Sequence, residues 1–144
     1  MAENRFDVLW DDNPVDVTAE ANFIWSIANK LRGTYMPDKY GDVIIPMTII
    51  RRFECALATT KQLVVDTYTK NPDYPAKAFE KITGFQFYNV SNFTLKELTN
   101  DPDNLSANFK DYINGFSANV QDILKQLKLN DHIETMDEGG CLYT

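Results

Sequence analysis

The side chains best suited to catalysis or metal binding are few and far apart in this 144-residue sequence. His132 is the only histidine, and Cys55 and Cys141 are distant from each other and from it. A catalytic triad needs a base beside its nucleophile, and a structural zinc site needs four Cys or His ligands at short spacing. We interpret His132 as an exposed residue near a helix N-terminus and the cysteines as free thiols. The sequence predicts no metal site.

Glycine-rich loops and paired carboxylates are other patterns that would indicate a reaction centre. The glycines are isolated except for Gly139 and Gly140, which follow a predicted helix, so no clustered amides are available to hold a phosphate. Acidic pairs such as Asp11-Asp12 and Asp137-Glu138 fall in predicted turns or helix ends, where solvation or capping explains them. The sequence therefore predicts no catalytic and no cofactor-binding residue.

The charge of −7 is distributed unevenly. Residues 30–81 contain nine basic and six acidic side chains, a net charge of +3, whereas residues 1–29 and 82–144 each sum to −5. A chain with this overall charge repels phosphate, which disfavours an autonomous DNA-binding domain. An anionic partner would contact the middle segment.

Composition indicates one packed globular domain, with 44% hydrophobic and 24% charged residues. The N-terminal residues run into acidic side chains, so we expect no secretory signal, and no apolar stretch approaches the length of a membrane span. The expected location is the cytoplasm, without membrane contact.

Hydrophobic periodicity predicts an all-α fold, a compact multi-helix bundle with at most one short extended segment near residues 85–90. The stripe Ile24, Ile27, Ala28 and Leu31 predicts a first helix over about residues 19–32. Thr18 would cap it, and Gly33 would end it in a left-handed conformation.

Later helices follow from the same pattern. A second helix is expected to begin at residues 42–45, with Pro46 in its first turn, and Thr59-Thr60 would interrupt it. A short helix would begin at Pro75, and a last one would cover residues 131–138. The aromatic stripe Phe109, Tyr112 and Phe116 is predicted to fill the core rather than to stack on bases.

Several separated segments, in the same order and at similar spacing, resemble the N-terminal region of the modification subunit of type I restriction-modification systems. They are residues 23–28 (FIWSIA), 31–33 (LRG), 40–46 (YGDVIIP), 50–57 (IRRFECAL), 87–91 (FYNVS), 95–98 (LKEL), 112–120 (YINGFSANV) and 133–143. The chain departs from the family at residues 58–60 (ATT), where a turn-forming residue is common, and at Ala118, where proline is common.

The resemblance implies an N-terminal arm over residues 1–17, for which partial disorder is one alternative, and a helical domain over residues 18–144. In the parent protein this domain would precede a methyltransferase domain that transfers a methyl group from S-adenosylmethionine to the exocyclic amine of adenine. Such domains resemble one another in an Asn/Asp-Pro-Pro-aromatic motif. Asn71-Pro72-Asp73 and Asn13-Pro14-Val15 do not continue as that motif requires. We therefore expect a fragment that is not itself an enzyme and holds no cofactor.

The resemblance also implies a role in clamping DNA and in assembly with the specificity subunit, a second modification subunit and the restriction subunit. Together with the +3 segment, it suggests five candidates for contact with the DNA backbone: Lys30, Arg32, Lys39, Arg51 and Arg52. The alternative for Arg51 is an ion pair with Glu54, and for Arg52 a position over the core. The alternative for the whole chain is a stand-alone helical module that binds other proteins and never meets DNA.

Overall fold

The computed structural model describes residues 15–144. It contains eight α-helices over these residues, and no β-strand among them, which confirms the predicted all-α class. The helices are α1 (Thr18–Leu31), α2 (Tyr40–Leu57), α3 (Lys61–Lys70), α4 (Ala76–Thr83), α5 (Leu95–Leu98), α6 (Leu105–Asn114), α7 (Ala118–Gln126) and α8 (Leu129–Glu138). Short 3₁₀ turns, Pro37–Lys39 and Pro102–Asn104, lead into α2 and α6.

The main core lies where the C-terminal half of α2 packs with α5, α6, α7 and α8. Burial of these side chains removes apolar surface from water and stabilises the bundle. The buried residues are Ile50, Leu57, Leu98, Leu105, Phe109, Tyr112, Ile113, Phe116, Val120, Leu124, Leu129 and Ile133. The prediction that the aromatic stripe of α6 fills the core is confirmed.

A smaller cluster, formed by Leu31, Val43 and Met136, joins the end of α1 to α2 and α8. Of the stripe predicted for α1, only Ala28 and Leu31 are buried, whereas Ile24 is 49% exposed. The periodicity correctly predicts a helix here, but the first half of that helix is exposed to solvent. All residues from Thr18 to Ser26 are exposed.

The ends of α1 and the start of α2 differ in part from expectation. Thr18 is the first helical residue and not the cap; the carboxylate of Asp16 accepts hydrogen bonds from its amide at 3.0 Å and its hydroxyl at 2.6 Å. Gly33 has φ +92°, as the left-handed stop requires. The prediction for α2 is wrong: it begins at Tyr40, so Pro46 is buried in the helix interior.

The segment over residues 85–90 is an extended loop held against the junction of α6 and α7. The Val90 amide donates to the Gly115 carbonyl at 2.8 Å, and the Ser117 amide donates to the Tyr88 carbonyl at 2.9 Å. Gly115 is required by space, because a Cβ atom there would lie 2.7 Å from Ser91 Cβ and 2.8 Å from Asn89 Oδ1. This close approach fixes the position of Asn89.

The remaining boundaries agree closely with the sequence. A turn over residues 58–60 separates α2 from α3, although the family's usual turn-forming residue is absent, and α7 begins at Ala118. Pro75 precedes the first residue of α4, and Gly84 ends that helix at φ +74°. Within residues 15–144, no helix combines the length and the apolarity that crossing a bilayer requires.

Candidate functional site

The first three of the predicted DNA-contact residues lie around the junction of α1 and α2. Lys30, Arg32 and Lys39 are all exposed. Lys30 Nζ donates to the Thr144 carbonyl at 2.7 Å, Arg32 Nη2 donates to Asn29 Oδ1 at 3.0 Å, and Lys39 Nζ lies 4.0 Å from Asp42 Oδ2. These contacts are on the surface and contribute little to stability, so the cations remain accessible.

Arg51 and Arg52 lie towards the other end of α2. Lys39 precedes Arg51 by twelve positions, a distance of roughly 18 Å along the axis at 1.5 Å per residue. The structure therefore divides the five candidates into two separate groups. Arg52 is exposed, and Arg51 forms the expected pair with Glu54, with Nη1 2.7 Å from Oε2.

Beside Arg51 lies a cleft of about 490 Å³, which we call the α2–α3 cleft. The end of α2, the start of α3, Asn89, the segment around α5 and Tyr112 of α6 enclose it. Three cations line it: Arg51, Lys61 and Lys96. Sequence reasoning identified the first and missed the two lysines.

Glu54 holds one wall of the cleft in place through its contacts with Arg51 and Leu95. Its side chain is only 13% exposed, and besides pairing with Arg51 it accepts a hydrogen bond from the Leu95 amide through Oε1 at 2.6 Å. The next turn is secured by a capping box, in which Thr94 and Glu97 exchange hydrogen bonds between side chain and backbone. Glu54 thus links α2 to the start of α5, and Glu97 caps the N-terminus of α5.

Asn89 holds another part of the cleft wall in place through its side-chain hydrogen bonds. Its side chain is buried, its Nδ2 donates to the Tyr112 carbonyl at 3.0 Å, and its Oδ1 accepts from the Ser91 amide at 2.8 Å. The same oxygen accepts from Lys61 Nζ at 2.9 Å. The ammonium group also lies 5.6 Å from the centroid of the Tyr112 ring, within range of a cation–π interaction.

Burial changes the acid–base behaviour of two groups in the cleft. Partial removal from water lowers the pKa of Lys61 to about 8, although Glu54 and Glu97 oppose the change. Burial, followed by the charge of Glu54, raises the pKa of Tyr112. Lys61 is the first residue of α3, where the helix dipole also disfavours a cation. A lysine directly after the predicted interruption at Thr59-Thr60, at a helix start, is the signal from which Lys61 could have been identified.

The residues first considered for catalysis are not assembled into a reaction centre within the described part of the chain. His132 is half-buried, not exposed as predicted, because its Nδ1 lies 3.1 Å from the hydroxyl of Tyr35. Cys55 and Cys141 are free thiols, as predicted. No group of three or more potential metal ligands occurs among residues 15–144.

The comparison with protein families gives a match over most of the chain. Residues 21–142 match the family described as the HsdM N-terminal domain. No curated protein and no solved structure matches the chain. The match confirms the resemblance noted from the separated motifs and begins close to the predicted domain start. The chain therefore belongs to the HsdM N-terminal domain family, as an N-terminal domain of a type I restriction-modification modification subunit.

Proposed function

We propose that this domain helps a DNA adenine methyltransferase subunit to grip DNA and to assemble with the specificity subunit. The parent protein would also assemble with a second modification subunit and the restriction subunit. It would bind S-adenosylmethionine and transfer the methyl group to adenine in the cytoplasm. The observation that carries the proposal is the family match over residues 21–142.

The arrangement of cations supports the part of the proposal that concerns DNA. The group near Lys39 and the group at Arg51 and Arg52 are separated by roughly 18 Å, about half of the 34 Å rise of one DNA turn. This axial separation is shorter than one DNA turn, so one duplex is long enough to span both groups. Such contacts with phosphates position a protein without reading sequence.

The first half of α1 supports the part that concerns assembly. Phe23 and Trp25 are each 65% exposed, and Ile24 is 49% exposed. An apolar surface on an exposed helix is typical of a protein contact. This feature is equally consistent with the alternative, a stand-alone interaction module, so binding to DNA is the discriminating property.

Charge reversal in the assembled modification enzyme tests the DNA contact. We expect Arg52→Glu and Lys39→Glu each to weaken binding to all sequences alike, because both residues would contact phosphates. Each change should also reduce the slope of log affinity against log salt by about 1. Fluorescence anisotropy on cognate and unrelated duplexes at several salt concentrations measures both quantities.

Lys125→Glu is the matched control, because Lys125 is exposed on α7 and lies outside the positive segment. It should leave affinity and salt slope nearly unchanged. If all three variants behave like the unmodified enzyme, neither group of cations contacts DNA and the interaction-module alternative is favoured.

A further inference from the structure

We propose that the α2–α3 cleft binds a single phosphate group, with Lys61 and Lys96 as its main cationic donors. The inference rests on the proposed function in one respect: the backbone of DNA is one source of that phosphate. A free nucleotide is the other source. The cleft combines cations that have unused hydrogen-bond donors, apolar walls and a volume suited to a small molecule.

The two lysines of the cleft have N–H donors that remain available to an anion. Among the described residues, Lys61 Nζ donates one hydrogen bond, to Asn89 Oδ1, whereas an ammonium group has three donors. Lys96 is exposed and lines the same cleft. Arg51 adds positive charge at the rim, although its nearest partner is Glu54. Two cations with unused donors thus face one space.

The carboxylates near the cleft do not cancel this charge fully. Glu54 is held by Arg51 and by the Leu95 amide, and Glu97 is held by the Thr94 amide at 3.0 Å. Both therefore already have hydrogen-bond donors within the domain. A phosphate offers several acceptor oxygens, which fits donors that approach from two different helices better than a single carboxylate does.

The rest of the cleft fits the sugar or base that accompanies a phosphate in a nucleotide. Its walls include the apolar side chains of Leu57 and Ala58 and part of Tyr112. Its volume of about 490 Å³ falls within the range of about 300 to 1,000 Å³ found for small-molecule sites. Space of this size accommodates one nucleotide unit but not a duplex, so DNA would contribute one backbone phosphate at the rim.

Lys61 gives this site a characteristic dependence on pH. The charged or titratable groups around it are Arg51, Glu54 and Cys55 from α2, Lys96 and Glu97 from the α5 segment, and Tyr112 from α6. Burial lowers the pKa of Lys61 to about 8, so the ammonium form that attracts phosphate is lost above that pH. Affinity should therefore fall by at most about tenfold between about pH 7 and about pH 9, since Lys96 and Arg51 stay charged, and this pH range is below the usual titration range of lysine.

Calorimetric titrations of the natural full-length protein test this inference, with inorganic phosphate, deoxyadenosine monophosphate and a short duplex as three separate probes. Lys61→Gln should weaken binding of the probes that use the cleft at about pH 7 and have a much smaller effect at about pH 9, where Lys61 is already mostly neutral. Lys61→Arg should retain binding and lose most of the pH dependence, because arginine stays charged. Lys125→Gln, on exposed α7, serves as the control and should behave like the unmodified protein.

The titrations with the three probes distinguish the two sources of the phosphate, and they test this inference independently of the proposed function. If Lys61→Gln weakens binding of deoxyadenosine monophosphate alone, the phosphate comes from a free nucleotide. If it weakens binding of the duplex alone, the phosphate comes from the DNA backbone. The inference is overturned if Lys61→Gln changes no titration, if Lys61→Arg keeps the full pH dependence, or if acetate competes as well as phosphate. Loss of DNA affinity on reversing Arg52 and Lys39, with no effect of Lys61 on any probe, would overturn this inference and leave the proposed function standing.

Discussion

The side chain of Asn89 holds several parts of the cleft in place. Its one amide joins the end of α6, the loop at Ser91 and the first residue of α3, through hydrogen bonds to Tyr112, Ser91 and Lys61. This amide stabilises the fold mainly because the buried Ser91 amide would be costly to leave unpaired, whereas the Tyr112 carbonyl also accepts from the Gly115 amide at 3.2 Å. Asn89 therefore positions Lys61 as well as the loop.

Replacing Asn89 with alanine should lower the free energy of unfolding by about 1 to 3 kcal/mol, because the buried Ser91 amide would lose its acceptor and the Tyr112 carbonyl would lose one of its donors. Urea denaturation followed by circular dichroism measures the change. Asn92→Ala, at an exposed position of the same loop, is the control and should cost less than about 0.5 kcal/mol. Equal effects of the two changes would contradict the role assigned to Asn89.

The sequence predicts local pairs far better than distant ones. Arg51 and Glu54 are three residues apart on one helix, so their ion pair follows from helix geometry. Lys61 and Asn89 are 28 residues apart, and their contact depends on how a loop packs against α6. The carboxylate of Glu54 also accepts a hydrogen bond from the Leu95 amide, a contact that its spacing from Arg51 does not predict. Non-local packing determines the cleft, and spacing alone does not reveal it.

At the scale of elements, helix existence was predictable and helix ends were less so. The interior position of Pro46 in α2 was missed because proline usually marks a first turn, while the Pro37–Lys39 turn starts the helix earlier and the proline ring is buried. The hydrophobic pattern does not predict how the joint between α6 and α7 is packed. The tight approach of residues 89–91 to that glycine is a tertiary feature.

Gly115→Ala should destabilise the protein by about 1 to 3 kcal/mol, since the new methyl group would overlap the Ser91 backbone and the Asn89 side chain. It should also displace Lys61 from its partner, which a change in the pH titration of the Lys61 side chain by NMR would report. Gly41→Ala is the matched control, because its nearest contact would be Ile45 Cδ1 at 4.0 Å and alanine favours a helix. A stable Gly115→Ala variant with an unchanged Lys61 titration would refute this account of the joint.

At the scale of the whole molecule, apolar side chains are buried in one part of the domain and exposed in another. The core around α6 and α8 is closed, with Ile133 fully buried, whereas the first half of α1 presents Phe23 and Trp25 to solvent. The sequence showed a helix at both places, since periodicity reports which residues share a face. It does not report whether that face meets the same domain or another surface, so the exposed half of α1 appeared only in the structure.

This contrast predicts opposite results for two aromatic truncations in the natural protein. Phe109→Ala should lower the free energy of unfolding by about 3 to 5 kcal/mol, because Phe109 is 3% exposed within the main core. Trp25→Ala should change it by less than about 0.5 kcal/mol, because that side chain is 65% exposed, yet it should weaken co-purification with the specificity subunit. Urea denaturation and quantitative pull-down measure the two properties separately. If Trp25→Ala destabilises the protein as much as Phe109→Ala, the first half of α1 packs on its own domain; if it alters neither property, α1 is no assembly surface for that subunit.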